Sequence, residues 1–117
     1  MNLPPGTIAD ALTIEVPLDD VATEQVLDGS PRIGFATLHE SEAGEIGVWE
    51  MTPGAMSDTE ENEIFVVLAG EATVEFVEPA QPSIELRPGS VVRLTAGMRT
   101  TWAVTQTLRK VYVLSAA

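Results

Sequence analysis

Apolar and polar residues alternate with period two through Ala72-Thr-Val-Glu-Phe-Val77, which sets one face of an extended strand toward a core and the other toward water. Short runs rich in β-branched residues recur along the chain and predict strands at Leu12–Val16, Ile33–Leu38, Ile46–Thr52, Glu63–Ala69, Ala72–Val77, Ser83–Leu86, Val91–Thr95, Thr101–Thr105 and Lys110–Leu114. Turn signals separate them, among them Gly29-Ser-Pro31, Ala43-Gly44, Pro53-Gly54, Ala69-Gly70 and Pro88-Gly89. The segment Ser57-Asp-Thr-Glu-Glu-Asn-Glu63 reads as an acidic solvated loop. One short helix is predicted over Val21–Leu27, capped by Asp19 or Asp20. Glu63–Ala69 differs from the other strands, since it is apolar on both faces after its first residue. Such a strand has to cover its outer face, and a second copy of the chain is the expected cover, making a homodimer. Many short strands with Gly and Pro turns predict an all-β single barrel or sandwich.

The length of 117 residues fits one domain over residues 1–117. No apolar run approaches the ~20 residues that span a bilayer, and Met1-Asn-Leu-Pro-Pro-Gly6 has neither the basic region nor the apolar core of a signal peptide. A cytoplasmic protein is expected. The net charge of −12 opposes binding to nucleic acid or to anionic membrane. Charge is also unevenly spread. Residues 1–78 hold 17 of the 18 acidic residues, whereas 79–117 hold Glu85 against Arg87, Arg93, Arg99, Arg109 and Lys110. Two halves that interleave in one barrel would neutralise each other; the alternative is an arginine turned into a cavity to meet an anionic ligand.

Two motifs carry a resemblance. Glu63 is followed by six residues and Gly70; Gly89 and Gly97 bracket a second strand, with Thr95 and Thr100 around its closing turn. In order and spacing this resembles the paired motifs of the cupin superfamily over about residues 44–114. The small cupins related to ureidoglycine aminohydrolases and ethanolamine-utilisation proteins look most similar, through Gly47-Val-Trp49-Glu50 with Pro53-Gly54, Trp102-Ala-Val104, and Leu108-Arg-Lys-Val-Tyr-Val113. The resemblance implies a cupin-type β-barrel, the double-stranded β-helix or jelly roll. It also implies a metal held by three histidines and the glutamate, but Ser57, Thr59 and Thr100 stand at the histidine positions. Hydroxyls are poor donors to Zn, Ni or Fe beside imidazole. His39, the single histidine, lies outside both motifs. No metal and no cofactor are therefore expected.

Cysteine is absent, and no Ser/His/Asp arrangement or phosphate-binding glycine loop is present. What remains is a lumen. Strand alternation that turns Glu63 inward takes Phe65 with it, and turning Thr100 inward takes Trp102. Trp49 and Tyr112 belong to the family-like pattern and complete an aromatic wall. Candidate ligand-binding residues are thus Trp49, Phe65, Arg93, Arg99, Thr100 and Trp102, and candidate catalytic residues are Glu63 and Tyr112. Three roles stay open for Glu63: a general acid or base, a structural anchor paired with Arg93 or Arg99, or a hydrated group at the barrel mouth. The function expected is metal-free binding of a small polar metabolite. The alternative is an enzyme of small metabolites, aminohydrolase-like or an acid/base isomerase or lyase using Glu63.

Overall fold

The computed structural model describes residues 2–116. Among them nine strands join in one antiparallel sheet: β1 Asp19–Asp20, β2 Val26–Asp28, β3 Arg32–Ser41, β4 Gly44–Met51, β5 Gly54–Thr59, β6 Glu63–Glu78, β7 Gln81–Leu86, β8 Val91–Leu94 and β9 Arg99–Ser115. Two long strands hold the barrel together. The second half of β9 lies between β4 and the start of β6, as in Trp49↔Lys110 and Phe65↔Tyr112. Its first half lies between β5 and the end of β6, as in Met56↔Trp102 and Val74↔Trp102. Both strands cross from one wall to the other at a run of bulges between Val67 and Ala72. Gly70 sits there with φ +93°, and a Cβ at this point would collide with the Thr107 carbonyl. The all-β cupin-type barrel expected from the motifs is the fold observed.

The core between the walls is built by the inward positions of these strands. Met51, Met56, Phe65, Val67, Val74, Leu94, Trp102 and Leu108 are all nearly or fully excluded from water. A second apolar cluster lies on the outside of β3 and β4, where Val16, Ile14, Ala11 and Ala9 cover Leu38, Val48 and Val111. Arg109 fixes this covering segment: its Nη1 donates to the carbonyls of Ala11 and Ile14, at 3.0 and 2.9 Å, while its Nε donates to Glu50 at 3.0 Å. Three ion pairs, Arg99–Glu78, Arg109–Glu50 and Lys110–Glu63, join the basic end of the chain to its acidic part. Interleaving thus offsets part of the charge asymmetry.

The strands expected at Glu63–Ala69 and Ala72–Val77 are one, β6, because Ala69-Gly70 forms a bulge instead of a turn, and those at Thr101–Thr105 and Lys110–Leu114 are likewise one, β9. Three further elements depart from the sequence expectation. Leu12–Val16 forms no ladder, because Asp10 turns the chain: its side chain accepts from the Leu12 N–H and its carbonyl from those of Thr13 and Ile14. The helix over Val21–Leu27 is one 3₁₀ turn, Thr23–Gln25, after which Val26 pairs with Met56. Seven residues are few for a nucleated helix, and a strand edge offers more hydrogen bonds. Conversely β5 occupies Gly54–Thr59, a stretch read as turn and acidic loop. No helix among the described residues is long and apolar enough to cross a membrane.

Candidate functional site

A cavity of about 380 Å³ opens between the two walls. Period-two alternation decides which side chains reach it. On β9, Trp102, Lys110 and Tyr112 point inward with Leu108, while Arg109 points out. On β5 and its continuation, Met56, Asp58 and Glu60 share the inner parity. Trp49 and Glu45 come from β4, and Glu63 opens β6.

At the deep end stands an ammonium. Lys110 is 4% exposed, and its Nζ donates to Glu63 Oε2 at 2.8 Å. Three rings enclose the same nitrogen, with centroids 4.2 Å (Phe65), 4.5 Å (Trp49) and 4.6 Å (Trp102) away. Carboxylate and aromatic faces together compensate the water that this charge has lost. Trp49 and Phe65 each stack tilted against Trp102, at 5.5 and 5.7 Å.

Two carboxylates are held beside it. Glu60, 6% exposed, accepts at Oε2 from Thr100 Oγ1 (2.6 Å) and Trp102 Nε1 (3.0 Å). Its backbone is fixed as well, by Glu60 N–H to Met98 O and Gly97 N–H to Glu60 O. Glu45 Oε2 accepts from Tyr112 Oη at 2.5 Å and from Thr37 Oγ1 at 3.0 Å. Tyr112 crosses over Gly47, where a Cβ would collide with its hydroxyl. Burial and the hydrogen bond to Glu45 push the Tyr112 phenol well above its ordinary range, so it keeps its proton and acts as a donor. Asp58 also lines the cavity. Burial, then the charge of Glu60, push its carboxyl from 3.8 up to about 6, against the opposing pull of the Thr59 N–H and Lys110.

The structure gathers Glu63, Tyr112, Trp49 and Trp102 at the cavity, with Phe65 packed beneath as one face of the ammonium cage. Thr100 is buried and acts by holding Glu60. Arg93 and Arg99 lie outside the cavity. Both are exposed, and Arg99 pairs with Glu78 at 3.4 Å, because the inward positions beside them belong to Leu94 and Thr100. The partner of Glu63 is a lysine rather than either arginine. Lys110, Glu60, Asp58 and Glu45 were not singled out in the sequence, although the spacing Leu108-Lys110-Tyr112 carried the signal for the first.

The residues present do not fit the metal that the resemblance implies. Hydroxyls stand at Ser57, Thr59 and Thr100, Thr100 is engaged with Glu60, and Glu63 Oε2 already accepts from an ammonium. No group of three or more His, Cys, Asp or Glu side chains with metal-site geometry occurs among the described residues. His39 is exposed on β3.

In sequence the chain matches the family of EutQ-like cupin domains over residues 38–112. No curated protein sequence matches it. Among solved structures it is similar to the EutQ protein of Clostridium difficile (19% identity, TM-score 0.64, covering 74% of this chain and 64% of that one). It is similar also to a protein of unknown function from Pseudomonas syringae pv. tomato (22%, TM-score 0.75, covering 91% and 46%). A cupin superfamily protein of Desulfitobacterium hafniense gives 22% identity and TM-score 0.62, with 100% and 97% covered. The chain therefore spans just under two thirds of the first of these and under half of the second. At such identities the likeness is one of fold.

Two outcomes are expected from the site. Asp58 binds its proton more tightly folded than unfolded, so its contribution to stability is complete below pH 3.8 and is lost as pH rises through about 6. Asp58→Asn removes that loss: thermal unfolding should show a Tm higher by roughly 2–4 °C at pH 7 and no gain at pH 4. Removing one partner of the deep ion pair, as in Lys110→Met, should cost about 3–5 kcal/mol, and the double variant Lys110→Met/Glu63→Met should recover most of it. Denaturant unfolding of the single and double variants measures this coupling.

Proposed function

This chain belongs to the family of EutQ-like cupin domains, and from that premise we propose that its cavity binds a small polar metabolite without a transition metal. The observation that supports the reading most is the convergence of two tryptophans, a tyrosine and several fixed polar groups on one cavity of about 380 Å³. Aromatic walls with a few placed polar handles are the usual make-up of a small-molecule site. Lys110 supplies the positive charge at its floor. Trp49 is partly exposed and forms the accessible side of the aromatic wall.

A second reading is favoured by Asp58. With Glu63 tied to Lys110, the carboxyl available for proton transfer near neutral pH is Asp58, with Tyr112 as a donor. An enzyme of acid/base type would use that pair. A fragment library followed by the NMR signals of the tryptophan indoles separates these readings. Binding is expected to shift Trp49, and Trp49→Phe, which keeps an aromatic face over Lys110, should weaken it while melting within a few degrees of the parent protein. Conversion of a bound fragment, lost in Asp58→Asn, would favour the enzyme; a library that leaves Trp49 unmoved would overturn both.

Self-association belongs to the same proposal. The segment that covers Val48 and Val111 stops short of Ile64, Val66, Val91 and Val113, which leave an exposed apolar strip on the outer face of β6, β8 and β9. Cross-strand pairing makes it continuous, through Val66↔Val91 and Ile64↔Val113. A second copy of the chain covers such a strip by two-fold symmetry. Light scattering should return twice the 12.5 kDa chain mass, and Val66→Glu should return the monomer. A cytoplasmic location is part of this reading.

A further inference from the structure

The hydrogen-bonding groups of the cavity run in one direction. Glu45, Asp58, Glu60, Glu61 and Glu63 bring five carboxyl groups to its wall against the single ammonium of Lys110. That ammonium is committed to Glu63, the Tyr112 hydroxyl to Glu45, and the Trp102 N–H to Glu60 and Thr100. Each of Glu45, Asp58, Glu60 and Glu63 is anchored through one oxygen. The other oxygen of each receives no hydrogen bond from the described residues. Glu60 is the sharpest case. It is more than nine-tenths buried, two donors fix its Oε2, and its Oε1 has no protein partner beside the cavity it lines. No buried side-chain oxygen among the described residues is left without a partner, so this oxygen faces the open cavity, where a ligand N–H can take the place of water.

We propose that the ligand is a small organic ammonium ion whose N–H groups bridge the open oxygens of Glu60, Asp58 and Glu45, and whose carbon part lies on Trp49. The inference rests on the cavity being a small-molecule site and names the class of molecule it takes. The chain contains an internal precedent, since its own alkylammonium, Lys110, is held by one carboxylate and three aromatic faces. Four carboxylates beyond the Lys110 pair repel an anion and leave a neutral polar molecule without donors to match. Burial and then the charge of Glu60 hold the proton on Asp58, and a cation arriving beside it offsets the second of these.

Three probes of one shape test this: n-butylammonium, n-butanol and butyrate, titrated at pH 7.5 against the indole signals of Trp49 and Trp102. Saturable binding of n-butylammonium, at least about tenfold tighter than n-butanol and with no response to butyrate, is the expected result. Glu45→Gln/Asp58→Asn should weaken it by about tenfold or more, and Asp58→Asn alone should weaken it in the same direction should the double variant fail to fold. The surface pair Glu15→Gln/Glu24→Gln lowers the net charge equally and should leave the affinity unchanged, which separates the site from the general attraction of a chain with net charge −12. Equal affinity for the alcohol and the amine, or an equal loss in the surface pair, overturns the cation proposal and leaves the pocket standing. Absence of any shift with all three probes overturns both.

Discussion

Everything in the interior is arranged around one desolvated charge. The Lys110 ammonium cannot reach bulk water, so its environment has to supply a counter-charge and polarisable faces at fixed distances. Glu63 provides the first; Phe65, Trp49 and Trp102 provide the second. These four come from β4, β6 and the first half of β9, while Lys110 stands on the second half, so satisfying the ammonium requires both walls of the barrel to be in place. Trp102 links this arrangement to the next one, because its ring faces Lys110 while its N–H holds Glu60. Position and charge of the cavity wall therefore follow from the packing of one lysine.

Stability alone would not choose such a lining. Asp58 is partly buried beside the charge of Glu60, and its displaced titration records first the burial and then that repulsion. Neutral residues at these positions would fold more comfortably at neutral pH. Sites kept at the expense of stability are the usual mark of a functional constraint, and here the constraint is a wall of fixed acceptors. The protein holds each carboxylate by one oxygen, which orders the side chain without using up its capacity to bind.

Much of the architecture was legible in the residues. Period-two patterning at Ala72–Val77 and the glycine turns at Gly89 and Gly97 located several strands; Glu63 and Trp102 reach the cavity as alternation implied, and Trp49 and Tyr112 as the family-like pattern implied. The acidic stretch 57–63 was not legible, for a physical reason: polarity reads as exposure, and nothing local announces that Thr100 and Trp102, some 40 residues away, will satisfy Glu60. Lys110 was hidden by the same habit. A lysine in a strand is read as a solvated edge, although its parity with Leu108 and Tyr112 placed it inside. The arginine pairing, one of three roles left open for Glu63, rested on Arg93 and Arg99 lying near the motifs, whereas the parity of Leu94 and Thr100 turns both outward. Leu12–Val16 shows the opposite error, since an apolar run can cover a sheet without joining it.

Arg109 and Lys110 are neighbours on β9 with opposite duties. The first points outward to Glu50 and the carbonyls of Ala11 and Ile14, the second inward to Glu63 and the cage. Their order works as a frame marker for the strand. A slip of β9 by one residue in one direction would bring a planar, forked guanidinium to a cage shaped for a compact ammonium; a slip in the other would leave a lysine with three rotatable donors where two carbonyls and a carboxylate await a fork. Each direction of slip carries its own penalty. In a barrel whose longest strand serves three partners, two adjacent cations of different shape give the chain a means of rejecting the wrong alignment.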